Sequence, residues 1–321
     1  MDSMHLRKMV GSGKKTWRRA GALLLAGCLL SGSAVGLTGC AGKNEKTEPQ
    51  GKQAEAKATQ KKGKADPGKK EETEIQVFIA ASLNTVMTEL AENYEKEHPK
   101  VKITYNADSS GTLLTQIEEG YECDIFFSAA QKQMDQLEAD GLIADGTRKN
   151  VVNNQVVLLT RKDSGTEVTG LEDLDKAESI ALARGSVPVG KYTREALVSL
   201  GILPETEDVS KIRTEEVSKA LGGVEISEQD NVSKVLIAVT EGSCEVGTTY
   251  YSDTYGYEDQ VKVLQTVSYD LTGNVIYPIC QVENKEADDA QKEAAAEFLE
   301  YVVSDEAKAI FESYYFDTQV E

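Results

Sequence analysis

Apolar and polar positions along this chain follow two periods that take turns. The run IQVFIAA (75–81) is almost continuously apolar, and from Leu83 the apolar residues Val86, Met87, Leu90 and Tyr94 recur at helical spacing to about Glu97. The same succession returns twice. VKITYNA (101–107) precedes TLLTQIEEG, and DIFFSA (124–129) precedes QKQMDQLEADG. VVLLT (156–160), SIALAR (179–184), EVGTTYY (245–251) and VIYPICQV (275–282) read as further strands, and helical patterns cover 190–200, 231–241 and 287–315. Strands alternating with helices predict an α/β fold built on a parallel sheet.

The first seventy residues follow neither period. Arg7, Lys8, Lys14, Lys15, Arg18 and Arg19 form a basic stretch before an apolar run over 20–37. That run is Gly/Ser-rich and shorter than the roughly 20 apolar residues of a membrane-spanning helix. It ends in Leu37-Thr38-Gly39-Cys40, which resembles the lipobox of a bacterial lipoprotein signal. The expectation is a signal peptide over 1–40, cleavage before Cys40, and lipid on the Cys40 thiol. Residues 41–73 are a Lys/Glu/Gln/Gly mixture too poor in apolar surface to offset chain entropy, and are expected to be a disordered polar linker.

Charge narrows the function classes. Residues 74–321 carry 47 acidic against 20 basic side chains, a formal net charge of −27. No basic face is available to neutralise phosphates, so nucleic acid is excluded as a partner. The body holds one histidine, His98, which argues against a histidine-based transition-metal site. Cys123, Cys244 and Cys280 remain once Cys28 and Cys40 are set aside; one disulfide is open to them, with no spacing that fixes the pair.

In an α/β fold ligands gather where strands end and helices begin. Here those places carry small neutral donors: Ser82, then Ser109-Ser110-Gly111, Ser128, the loop GSVPVGKY (185–192), and Gln229-Asp230-Asn231-Val232. A helix N-terminus offers unpaired N–H groups and about half a unit of positive charge, so it can hold an anion without lysine or arginine. A single serine at a helix start is ordinarily a capping residue; recurrence at several starts is what points to a ligand.

These segments resemble one family. The strand running into Ala80-Ala81-Ser82-Leu83, the turn Ser110-Gly111-Thr112-Leu113 followed by Gln116-Ile117-Glu118, the strand DIFFSA, VPVGKYTREAL (187–197) and TTYYSD (248–253) are similar to the molybdate-binding proteins of ABC importers, over residues 75–316. The resemblance implies a two-lobed α/β fold of the periplasmic-binding-protein type (type II), with a tetrahedral oxyanion in a cleft between lobes. Lobe I would comprise 74–155 and 273–321, and lobe II 156–272, with hinges near Asn153–Val156 and Gly273–Val275. The ligand donors implied are the hydroxyls of Ser82, Ser110 and Tyr250 and the backbone amides of Val189 and Val232. The ligand would be molybdate or tungstate, delivered to an importer permease by a lipid-anchored, extracytoplasmic monomer that needs no cofactor and performs no catalysis.

Some positions depart from the pattern. Asp108 stands where a small neutral residue is expected; it is either a turn residue or an acceptor for a protonated oxyanion, the second favouring phosphate. The stretch between Gly190 and Val232 is longer than expected, and Tyr315 stands in place of glycine. Tyr250-Tyr251 also resembles the phenolate pair of ferric-iron binding proteins, although neighbours on a strand point to opposite faces. Sulfate remains a third ligand. A secreted serine hydrolase using Ser110 is the rival from another class, without a Gly-x-Ser-x-Gly context.

Overall fold

The computed structural model describes residues 72–320; the signal segment, Cys40 and nearly all of the expected linker lie outside them. Ten strands and nine α-helices are described. They are β1 (Thr73–Ala80), α1 (Asn84–Glu97), β2 (Val101–Asp108), α2 (Ser110–Glu118), β3 (Ile125–Phe127), α3 (Gln131–Ala139), β4 (Lys149–Asn154), β5 (Val156–Arg161), β6 (Ser179–Ala183) and α4 (Pro188–Ser199). There follow α5 (Thr214–Ala220), β7 (Glu225–Gln229), α6 (Val232–Thr240), β8 (Val246–Tyr250), β9 (Val261–Thr266), α7 (Tyr269–Thr272), β10 (Val275–Gln281), α8 (Asp289–Val302) and α9 (Asp305–Ser313).

Two five-stranded sheets organise these elements, in the orders β2-β1-β3-β10-β4 and β7-β6-β8-β5-β9. The chain leaves the first sheet at Asn154, crosses at Gln155, builds the second sheet with β5 to β9, and returns through Gly273 to β10. Both sheets are mixed, so the parallel pairing expected from the alternation of strands and helices holds for part of each. β1 pairs in parallel with β2 and β3, but β10 runs antiparallel to β3 and β4 because the chain re-enters from the other sheet. In the second sheet β5 is antiparallel to β8 and β9, while β6 is parallel to β7 and β8.

The centre of the first sheet is covered on both faces, which is why β3, most of β10 and the end of β1 are runs of apolar residues. Ile75, Val77 and Ile79 of β1 belong to the large core with Met87 and Leu90 of α1, Phe298 of α8 and Phe311 of α9. Phe78, one position out of phase, joins Leu113, Ile117, Phe126, Met134, Leu137 and Cys280 under α2 and α3. Cys123, Cys244 and Cys280 are buried free thiols, so the disulfide left open by the sequence is absent among the described residues. Burial holds the Cys280 thiol up at about 12. His98 is half-buried and stacked on Tyr94 with ring centroids 4.0 Å apart.

Candidate functional site

Strand ends and helix starts from both sheets converge on one small cavity. Its lining is Ala80, Ala81, Ser82, Asp108, Ser109, Ser110, Ala129, Val187, Pro188, Val189, Val232 and Tyr250, with an empty volume of ≈ 210 Å³ that includes the part open to solvent. All five donors expected from the sequence, Ser82, Ser110, Val189, Val232 and Tyr250, are in that lining. Ser82 and Ser110 come from the first-sheet side, and the other three from the second.

Each donor is placed by its local structure. After β1 the chain turns through a short 3-10 segment, Ala81–Leu83, before α1 begins, and this puts Ser82 at the mouth of the helix. The Ser82 hydroxyl lies 2.9 Å from the Tyr277 hydroxyl. Asn154 Nδ2 donates to that same Tyr277 oxygen at 3.2 Å, so Ser82, Tyr277 and Asn154 form one chain of hydrogen bonds. The Ser110 oxygen accepts the Ala129 amide at 2.9 Å, leaving its O–H to donate. Ser109, not Ser110, caps α2, accepting the Thr112 amide at 3.2 Å.

The second-sheet side contributes helix amides and a phenol. In α4 the first amide bonded back into the helix is Lys191, which donates to Val187 at 2.9 Å. Pro188 has no N–H, and Val189 is among the terminal amides a helix leaves unpaired. Val232 opens α6 just after Asn231, whose Oδ1 accepts the Lys234 amide at 3.0 Å. Tyr250 is fully buried at the end of β8, and its hydroxyl has no hydrogen-bond partner. Burial, then the neighbouring Tyr277, raises the Tyr250 pKa well above the usual phenol value, so it is a protonated donor. Tyr251 points the other way: it is 40 % exposed and packs on Tyr315 with centroids 5.3 Å apart.

Three supporting residues gave no signal of their own in the sequence. Tyr277 and Asn154 orient Ser82 as described. A bulge between Tyr277 and Pro278 interrupts the β10–β4 register, at a residue that has no N–H to pair. Arg194 is the third. Its guanidinium is fully buried, donating to the carbonyls of Ala183 and Gly190 at 2.8 Å and of Ile212 at 2.9 Å, and burial lowers its pKa to about 10. It braces the turn that presents Val189. Gly190 is required there, since a Cβ would lie 2.3 Å from the Arg184 carbonyl oxygen.

Asp108 is the one charged residue of the lining. Its Oδ1 accepts the Ser109 amide at 2.7 Å and Asn231 Nδ2 at 3.1 Å, so the turn role read from the sequence is present, together with a bond to the opposite side. Among the described residues no cluster of three or more His, Cys, Asp or Glu side chains could hold a metal ion. Ser110 is bonded to the backbone amide of Ala129.

A family model described as bacterial extracellular solute-binding protein matches residues 75–317. The chain belongs to this family. It is a family of solute-binding proteins and not of enzymes. A putative ABC transporter substrate-binding lipoprotein of Bacillus subtilis, YvgL, is 32 % identical over 246 residues, 76 % of this chain and 86 % of that one. The molybdate-binding protein ModA of Escherichia coli is 32 % identical over 259 residues, 78 % of this chain and 90 % of its own. Among solved structures, the substrate-binding domain of a putative molybdenum ABC transporter from Clostridium difficile superposes with a TM-score of 0.56 at 33 % identity, covering 77 % of this chain and 99 % of that one. These solute-binding relatives match the described body, and the two-sheet α/β architecture is theirs too.

Proposed function

We propose that this extracellular solute-binding protein captures molybdate, and tungstate by the same contacts, and delivers it to an ABC importer. Lobe I would be 74–155 with 273–321 and lobe II 156–272, hinged at the two crossings, with a lipid on Cys40 holding the protein at the membrane. The single observation that carries the ligand class is the polarity of the cavity. Ser110 accepts from Ala129 and keeps its O–H, Tyr250 has an unpartnered hydroxyl, Val189 and Val232 open helices, and Ser82 is part of the same lining. In this reading all five donate to the ligand.

A tetrahedral dianion without protons satisfies such a set. Hydrogen bonds to a charged group contribute about 1.5–3 kcal/mol net each. Five of them support the roughly −8 kcal/mol of micromolar binding after desolvation and lobe closure. A protonated phosphate would bring an O–H for which the neutral donors provide no acceptor. The names of the relatives, molybdate-binding and molybdenum-transporting, support the same choice. The test is equilibrium dialysis of the purified protein against molybdate with metal analysis of the retained fraction. One molybdenum per chain is expected; none retained at concentrations well above micromolar overturns the reading.

A further inference from the structure

Three contacts on one side of the cavity join the two halves of the protein directly. Asp108, at the end of β2 in the first sheet, accepts Asn231 Nδ2 at 3.1 Å; Asn231 is the residue that caps α6 beside the second sheet. Lys132 of α3 reaches the segment before α5, lying 3.3 Å from Asp208 Oδ1 and donating to Ser210 Oγ at 2.9 Å. Between them, Gly111 of α2 comes so near the loop before α4 that a Cβ would lie 2.9 Å from the Ser186 carbonyl oxygen. The segment that carries Asp208 and Ser210 belongs to the stretch between Gly190 and Val232.

We propose that Asp108 is a positioning residue for ligand retention: its carboxylate ties the N-terminus of α2 to the N-terminus of α6, with Lys132 and Asp208 forming a second tie beside it. The chemistry suits that role. One carboxylate oxygen holds the Ser109 amide and the Asn231 amide group together, so Ser110 and Val232, each the next residue along, are fixed relative to one another. The negative charge stands beside an anion site, yet the oxygen is engaged by two donors. Separation of the lobes breaks both ties, so they resist release of the ligand rather than its arrival.

This proposal rests on the molybdate reading, and the experiment separates the two. Molybdate association and dissociation are followed by stopped-flow fluorescence for the wild type, Asp108→Ala, Asp108→Asn, Asn231→Ser and the double variant Asp108→Ala/Asn231→Ser. Serine at 231 still caps α6 but cannot reach Asp108. The expected result is dissociation about ten-fold faster in Asp108→Ala and in Asn231→Ser, association within about three-fold of wild type, and no further loss in the double variant. Asp108→Asn, which keeps an acceptor oxygen, should recover most of the retention. Dissociation within two-fold of wild type in both single variants, or fully additive losses in the double variant, overturns the tie. A wild type that retains no molybdate overturns the ligand reading instead. Asn231→Ser guards the test against a folding defect specific to Asp108→Ala.

Discussion

The Ser82 hydroxyl sits 2.9 Å from the Tyr277 hydroxyl, although 195 residues of chain separate them. Asn154, the last residue of β4, completes the chain by donating to Tyr277 at 3.2 Å and to Ser252 at 2.8 Å. This chain of bonds fixes the Ser82 hydroxyl at the cavity through residues of both crossing strands. Tyr277→Phe should therefore leave the Ser82 hydroxyl without this partner and weaken molybdate binding about three- to ten-fold, in line with a hydrogen bond of roughly 1 kcal/mol. Calorimetry checks this; affinity equal to wild type would mean that Ser82 is oriented without Tyr277.

Direct donors should cost more. Ser110→Ala removes a buried hydroxyl from the lining and is expected to weaken binding by about 1.5–3 kcal/mol. Tyr250→Phe should do the same without lowering the melting temperature, because its hydroxyl has no partner to lose. Tyr251→Phe, on an exposed ring packed against Tyr315, should leave affinity within two-fold of wild type. A larger loss from Tyr251→Phe than from Tyr250→Phe would reassign the phenol.

Gly111→Ala tests the close approach of the two halves. The added methyl meets the Ser186 carbonyl oxygen, in the loop before α4. The unliganded protein should keep its melting temperature while molybdate affinity falls about ten-fold or more, since closing against a contact under 3 Å forces the backbone to shift. Small-angle scattering with saturating molybdate should then report a larger radius of gyration than wild type. An unchanged radius and affinity would show that the lobes need not meet there.

Asp253 gives a pH dependence of stability. Its carboxylate accepts the Tyr250 amide at 2.9 Å and the Thr249 hydroxyl, yet burial outweighs these bonds and raises its pKa from 3.8 to about 6. A raised carboxylate pKa means that the folded state holds the proton more tightly than the unfolded one. This group therefore favours folding most below about pH 4, and its contribution declines as pH rises through 6. Asp253→Asn should flatten that part of the stability profile in chemical denaturation between pH 4 and 7. An identical slope in wild type and variant would place the titration elsewhere.

How much of this was legible in the sequence depended on burial. β1 and β3 are covered on both faces and announce themselves as apolar runs, and the change of period at Ala81–Leu83 marks the helix start that carries Ser82. The edge strands β4 (KNVVNN) and β7 (EISEQ) are mostly polar and carry no such run. The helical pattern over 287–315 is two helices, divided where Ser304 caps α9 by accepting the Ala307 amide at 3.2 Å; a serine before Asp305 and Glu306 is a start signal that the periodicity masked. Strand direction was beyond local pattern, because β10 is antiparallel only through the long excursion into the second sheet. So were Tyr277 and Arg194, whose partners are distant in the sequence or are backbone carbonyls. Tyr315 adopts the left-handed conformation its glycine-like position suggested, at φ 68°, a cost of about 1–2 kcal/mol that ring contacts to Tyr251 and Tyr255 help offset.

The most direct test of the donor-lined cavity is calorimetric titration of the purified protein with molybdate, tungstate, sulfate, phosphate and ferric citrate at two pH values. The account predicts one-to-one binding of molybdate and tungstate at micromolar affinity or better, with phosphate giving no heat at either pH. Phosphate bound as tightly as molybdate would contradict it, because the cavity would then have to supply an acceptor for the phosphate proton.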